Sequence, residues 1–158
     1  MVAQASVSRA RQPLSILISD QDEGVRKGLR RSLEPREWEF YEARSGREAL
    51  QILRRRVVHV LVSAVELPDT TGFDVARGLS RLDHWVPFIF TVSEVNKEML
   101  LRALVARAFT VLQKPVDGRL FRATLEHLVG RWYRGGVSPG WDRHKTRRRR
   151  PPGEQELL

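Results

Sequence analysis

Cysteine is absent from this chain of 158 residues. Without it there can be no disulfide framework and no thiolate-ligated metal, and the composition suits a reducing cytosol. Histidine is scarce too, because the chain has only four, His59, His84, His127 and His144, and none lies three or four residues from another. The sequence therefore indicates no zinc site.

Long apolar runs are also missing. No stretch approaches the roughly 18 apolar residues that a membrane-spanning helix needs. The N-terminus, MVAQASVSRARQP, has no apolar block after its basic residues, so we expect no signal peptide. These absences predict a cytoplasmic protein. With 41% hydrophobic and 30% charged residues, the chain is typical of one globular domain with a single core.

Positive charge is unevenly distributed along the chain. Residues 13–129 carry 18 basic and 16 acidic side chains, residues 130–158 carry eight and three, and residues 1–12 carry two and none. The C-terminal piece is also rich in Gly and Pro, and such a composition buries too little apolar surface to offset chain entropy. We therefore predict a flexible N-terminus over 1–12, a folded domain over 13–129 and a basic, disordered tail over 130–158.

Short apolar runs alternate with helical patterns between residues 13 and 129. Runs rich in branched and aromatic residues predict strands over 14–18, 38–43, 57–63, 87–92 and 109–112. The run at 57–63 is almost continuously apolar, which is typical of a strand buried on both faces of a sheet.

A helical pattern follows each predicted strand. We expect Asp22, Ser45, Ser93 and Asp117 to cap the first, second, fourth and fifth helices, and the third helix to span 72–82. Five strands alternating with five helices predict a doubly wound α/β fold with a parallel sheet and right-handed crossovers. In such a fold the functional residues lie at the carboxyl ends of the strands.

Four motifs at those strand ends resemble the receiver domains of bacterial two-component response regulators. They are ILISDQDEGVR after the first strand, LPDTTG after the third, Thr91 at the end of the fourth and Lys114-Pro115 at the end of the fifth. The resemblance covers roughly residues 14–129 and implies a flavodoxin-like (βα)5 fold. It also implies an aspartate that accepts a phosphoryl group from a histidine kinase, a Mg²⁺ ion held by acids, and Thr and Lys ligands for the phosphoryl oxygens.

The sequence departs from that family pattern at the residues that carry the chemistry. The phosphoacceptor position, four residues before the Pro of LPDTTG, is Ala64, and the main metal-binding acid is replaced by Gln21. The family's switch aromatic and its Gly before the fifth strand correspond to Val111 and Arg107. Ser63 is no substitute nucleophile, because adjacent strand residues point to opposite faces.

The receiver pocket is therefore expected to be degenerate. Its residues would be Asp20, Gln21, Ala64, Thr91 and Lys114, with no catalytic residue and weak or absent Mg²⁺ binding at the residual Asp20. Lys114 is expected to form a structural ion pair with Asp20. The resemblance further implies a cis peptide bond between Lys114 and Pro115.

These observations favour a binding module rather than an enzyme. The main hypothesis is a phosphorylation-independent pseudo-receiver in a two-component pathway. It would dock a protein partner through the fourth helix, fifth strand and fifth helix, and homodimer formation is left open. Four side chains are the solvent-facing candidates on this face: Arg102, Arg107, Arg119 and Arg122. A phosphorylatable response regulator is a further alternative.

A rival hypothesis assigns the function to the tail, which would bind nucleic acid or another anionic surface. Its basic side chains are Arg143, Lys145, Arg147, Arg148, Arg149 and Arg150. Trp132, Tyr133 and Trp141 lie upstream of this series, and arginine with aromatic rings suits phosphate pairing and base stacking. The sequence specifies neither the partner nor the input that replaces phosphorylation.

Overall fold

Five parallel strands form one sheet in the computed structural model, which describes residues 13–35, 37–83 and 85–133. The strands are β1 (Ser15–Ser19), β2 (Glu39–Ala43), β3 (Val60–Ala64), β4 (Phe88–Val92) and β5 (Thr110–Gln113). Their order in the sheet is β2-β1-β3-β4-β5. The predicted doubly wound, flavodoxin-like fold is confirmed.

One helix follows each strand. The helices are α1 (Glu23–Arg31), α2 (Gly46–Arg55), α3 (Gly72–Ser80), α4 (Lys97–Ala106) and α5 (Gly118–Trp132). Asp22, Ser45 and Asp117 cap α1, α2 and α5 as predicted, each accepting hydrogen bonds from backbone N–H groups of the first turn.

The predicted cap of α4 is wrong. Asn96 rather than Ser93 begins this helix, and its side-chain oxygen accepts a hydrogen bond from the backbone N–H of Met99 at 2.8 Å. Starting there places Met99 and Ala103 one turn apart, and both are buried against the sheet. Ser93 instead lies in the connection between β4 and α4, where its carbonyl accepts a hydrogen bond from Gln113.

Two apolar layers cover the sheet. Leu17, Leu61, Phe88 and Phe90 pack on one face against α2, α3 and α4. Ile16, Ile18, Val60, Val62 and Ile89 pack on the other face against α1 and α5. Because β1, β3 and β4 are covered on both faces, their sequences are nearly continuous apolar runs, as expected for a parallel sheet.

Helix α5 continues to Trp132, past residue 129 where the sequence analysis ends the folded domain. Tyr133 follows it and is only 8% exposed. The Tyr133 hydroxyl donates a hydrogen bond of 2.5 Å to the carbonyl of His59, and burial raises the pKa of this hydroxyl. These aromatic residues lie in a segment of basic composition but belong to the core. In the part of the chain that is described, no helix is long and apolar enough to span a membrane.

Candidate functional site

A cleft of about 890 Å³ opens at the carboxyl edge of the sheet. It lies over the ends of β1, β4 and β5 and extends along the connection between β4 and α4. Asp20, Gln21, Thr91 and Lys114 line it, so four of the five predicted pocket residues meet there. The fifth, Ala64, ends β3 beside Thr91 in the sheet register and is 1% exposed.

Asp20 and Lys114 form an ion pair at the base of the cleft. The Lys114 Nζ lies 2.6 Å from Oδ2 of Asp20, and their side chains are 22% and 5% exposed. The other carboxylate oxygen, Oδ1, accepts a hydrogen bond of 2.8 Å from the backbone N–H of Asp22. The predicted pair is confirmed, and both oxygens of Asp20 have partners. The Lys114-Pro115 peptide bond, which follows directly, is cis.

The end of β3 presents no nucleophile to the cleft. Ala64 contributes only a methyl group, and the neighbouring Ser63 is fully buried. The Ser63 hydroxyl donates a hydrogen bond of 2.9 Å to the carbonyl of Ala64, and Ser63 does not line the cleft. Neither residue can therefore attack a phosphoryl donor in this conformation.

A buried arginine, which sequence reasoning missed, supports the loop after β1. Arg26 is 7% exposed and donates hydrogen bonds to the carbonyls of Asp20 at 2.7 Å and Gln21 at 3.3 Å. Its Nε also donates to Glu42 at 3.1 Å. No local sequence signal marks this arginine as buried, because its carboxylate partner lies on β2. The guanidinium fixes the backbone on which Asp20 and Gln21 are presented.

Hydrogen bonds to Asp69 fix the loop after β3. Asp69 accepts hydrogen bonds from the backbone N–H groups of Gly46 at 2.8 Å and Arg47 at 2.9 Å, at the start of α2. The bonds from Arg47 and then Gly46 lower the pKa of the Asp69 carboxyl. The LPDTTG motif is thus anchored to a helix terminus, where a negative charge is stabilised by the unpaired N–H groups.

The residues present do not fit the Mg²⁺ ion that the resemblance implies. Mg²⁺ requires oxygen ligands in near-octahedral geometry. Here Lys114 and the Asp22 amide occupy both oxygens of Asp20, Gln21 supplies only a neutral amide, and Ala64 supplies no oxygen. Among the described residues, no group of three or more His, Asp or Glu side chains could hold a metal ion.

The outer face of α4 is apolar, which the sequence analysis did not anticipate. The exposed side chains are Leu100, Leu101, Leu104 and Val105, and the last two are 73% and 82% exposed. Met99 and Ala103 face the sheet, so this helix is apolar nearly all round. The distribution of apolar residues along α4 is the sequence signal for this exposed face, because a helix with apolar residues on both faces needs a second partner.

The arginines predicted on this face have different roles. Arg102 stacks over the Phe73 ring, 4.1 Å from its centroid, and Arg122 pairs with Glu126 at 3.7 Å. Arg107 ends α4 in the left-handed region, with φ of 65°. Arg119 is exposed. The predicted tail contacts, from Arg143 to Arg150, lie outside the described residues.

The chain matches the family model described as "Response regulator receiver domain" over residues 16–126. It is 29% identical over 117 residues to the transcriptional regulatory protein AfsQ1 of Streptomyces coelicolor, covering 74% of this chain and 52% of that protein. It is 31% identical over 119 residues to the response regulator MprA of Mycolicibacterium vanbaalenii, covering 75% and 48%. The chain thus spans about half the length of these relatives.

The fold is also similar to solved structures. The receiver domain of an HD domain-containing protein from Pseudomonas fluorescens superposes with a TM-score of 0.70 at 24% identity, covering 76% of this chain and 97% of that one. This likeness concerns the fold, whereas the family match extends over the strand-end motifs that build the cleft. The chain therefore belongs to the response regulator receiver domain family of two-component signalling.

Proposed function

We propose that this chain is a pseudo-receiver, a signalling module that docks a protein partner without aspartyl phosphorylation. The observation that carries the proposal is the Asp20–Lys114 ion pair of 2.6 Å beside the methyl group of Ala64. The cleft thus has an internal pair of opposite charges among the residues that the family uses to bind a phosphoryl group and a metal ion.

The pair supports the proposal because it uses the groups that phosphorylation would need. Asp20 has 5% of its side chain exposed, so separating it from Lys114 would leave a buried carboxylate without its cation. Breaking such a pair typically costs about 3 to 5 kcal/mol. A metal ion would have to offset the cost of breaking the Asp20–Lys114 pair while it coordinates only one carboxylate.

The apolar face of α4 supports the docking part of the proposal. Leu100, Leu101, Leu104 and Val105 form an exposed cluster on a helix whose opposite side is already buried. Contiguous exposed apolar surface commonly marks a protein interaction site. We infer that the partner approaches this helix, and that apolar contact rather than the predicted arginines supplies most of the affinity.

The phosphorylation part is tested with a small phosphodonor. The full chain is incubated with acetyl phosphate and Mg²⁺, and its intact mass is measured before and after. We expect no added phosphoryl group, because no oxygen nucleophile faces the cleft at residue 64. A receiver domain with an intact aspartate serves as the positive control. A gain of one phosphoryl group, labile or stable to acid, would refute the proposal.

The docking part is tested with a charged variant of the apolar cluster. Leu104→Glu combined with Val105→Glu should abolish partner capture and any concentration-dependent dimer seen by light scattering. Val57→Glu is the control, because Val57 is 40% exposed and lies in the connection between α2 and β3, outside α4. If the double variant and the control capture the same partner equally well, α4 is not the docking face.

A further inference from the structure

Four arginines cluster at the amino edge of the sheet, where the chain enters β3 and β4. Arg54 and Arg55 end α2, and Arg56 is the C-cap residue of that helix. Arg81 is the C-cap residue of α3. All four are exposed, and none of them forms an ion pair with a described residue. We call these four residues the basic edge.

The topology brings these arginines together. Because β3 and β4 are neighbours in the sheet, the ends of α2 and α3 lead into adjacent strands. The two helices touch at Leu50 and Gly78, where a Cβ on the glycine would lie only 2.6 Å from a Leu50 methyl carbon. Arg54 follows Leu50 by four residues and Arg81 follows Gly78 by three, which is about one helical turn in each case. These two arginines thus lie side by side where the helices end.

Little negative charge offsets the basic edge. Residues 49–65 contain no Asp or Glu, and residues 75–93 contain only Asp83. The dipoles of α2 and α3 favour cations at their C-terminal ends, but each dipole is equivalent to roughly half a negative charge. The two helices therefore offset about one of the four positive charges. The remaining charge attracts an anionic ligand to this surface.

A pair of tryptophan rings at the same edge is an independent sign of the class of ligand. Trp85 precedes β4 and Trp132 ends α5, and their ring centroids lie 4.8 Å apart. Both side chains are partly exposed. Aromatic rings beside arginines suit a single strand of nucleic acid, because the rings stack on unpaired bases and the guanidinium groups pair with phosphates.

We propose that this surface binds single-stranded nucleic acid, with the basic edge on the phosphate backbone and the two tryptophans on the bases. A membrane fits less well, because Val57 is the one large apolar side chain exposed at this edge among the described residues. A duplex fits less well because its bases are stacked on each other. The site goes beyond the proposed docking function and does not depend on it. It also differs from the segment 143–150 of the rival hypothesis, because it lies on the folded domain.

Fluorescence anisotropy with the full chain tests the proposal. The probe is a labelled oligothymidylate of about 12 nucleotides, within the range that a single-strand site covers. Arg54→Gln, Arg56→Gln and Arg81→Gln together should weaken binding by roughly 3- to 100-fold at low salt, from the typical strength of exposed ion pairs. They should also lower the salt slope of the logarithm of affinity by about 2, because each phosphate contact contributes roughly 0.7.

A second triple variant removes the same charge at the opposite edge of the sheet. It replaces by Gln three exposed cations at the starts of α2 and α4: Arg44, Arg47 and Lys97. We expect this control to keep the salt slope of the parent and nearly all of its affinity. Urea unfolding of both triple variants verifies that the domain is folded.

The contribution of the rings is tested with Trp85→Leu, which keeps an apolar side chain but removes the aromatic surface. We expect it to weaken oligothymidylate binding by roughly 5- to 150-fold, the usual effect of losing one stacked base, and to leave the salt slope unchanged. Trp38→Leu is the control, because Trp38 precedes β2 at the outer side of the sheet.

Four results would overturn the proposal. The first is no binding by the parent at low salt. The second is equal loss of affinity in the two triple variants, which would indicate general attraction. The third is unchanged affinity in the basic-edge variant or in Trp85→Leu, which would place the binding site elsewhere in the chain. The fourth is stronger competition by a duplex or by phosphatidylserine vesicles than by the unlabelled single strand.

Discussion

The buried imidazole of His59 should make the stability of this domain depend on pH well above the range where carboxylates titrate. Its Nδ1 accepts a hydrogen bond of 2.9 Å from the backbone N–H of Ser15, so this nitrogen must be unprotonated. Burial lowers the pKa of His59 from 6.5 to about 4, and the charge of Glu39 opposes this only in part. The imidazole therefore stays neutral in the folded protein at pH values where the unfolded chain binds a proton.

The sign of the effect follows from this difference. Above about pH 6.5 the imidazole is neutral in both states, and the folded protein has its full stability. As the pH falls from 6.5 towards 4, only the unfolded chain is protonated, so the free energy of unfolding decreases. A pKa difference of about 2.5 units corresponds to about 3 kcal/mol when complete. That is a large fraction of the roughly 5 to 15 kcal/mol that stabilises a typical domain.

Urea unfolding followed by tryptophan fluorescence at several pH values between 7.5 and 4.5 measures the effect. His59→Asn is the informative variant, because its amide oxygen can accept the Ser15 hydrogen bond but does not titrate. We expect the parent to lose about 2.5 kcal/mol more than this variant between these pH values. His127→Asn, on the exposed side of α5, should behave like the parent. Parallel curves for the parent and His59→Asn would refute the reasoning.

Three further changes have defined outcomes. Ala64→Asp with Gln21→Asp should bind Mg²⁺ more tightly in calorimetric titration than the parent or Ala64→Asp alone, and equal weak binding would contradict the residue assignment. The free energy of unfolding, measured with urea, should be roughly 1 kcal/mol higher for Arg107→Gly than for Arg107→Ala, because only glycine adopts the left-handed backbone without strain. The reverse order would contradict this reasoning. If the six cations in 143–150 bind DNA, fluorescence anisotropy should give a salt slope of roughly 4 to 5, and a chain ending at Tyr133 should lose this binding; retained binding would exclude the segment.

The sequence predicted those features that depend on local pattern or on strand ends. Buried parallel strands are recognisable as apolar runs. Although β3 and β4 separate β1 from β5 in the sheet, both strands end at its carboxyl edge, where the long Lys114 side chain can reach Asp20. The ion pair between Asp20 and Lys114 could therefore be anticipated although 94 residues separate them. Likewise Asp22 and Asp117 were recognisable as caps, because a cap acts within its own first turn.

Features that depend on distant partners could not be predicted in this way. The position of Tyr133 depends on the carbonyl of His59, 74 residues earlier, and its surrounding composition resembles a tail. Arg26 is buried only because Glu42 and the backbone after β1 satisfy it. Ser93 and Asn96 are both good caps, and the choice between them depends on which residues of α4 reach the sheet. In each case tertiary contact decided among locally equivalent options.

The ion pair between β1 and β5 also bears on how the chain folds as it is synthesised. Asp20 emerges early and Lys114 late, so every intermediate that lacks β5 contains this carboxylate without its cation. A nearly buried, unpaired charge is costly, which penalises premature closure of the first four strands. Contacts between residues so far apart in sequence also slow folding. The Asp20–Lys114 pair would thus favour closure of the sheet only after β5 has joined it, because Asp20 gains its cation only then.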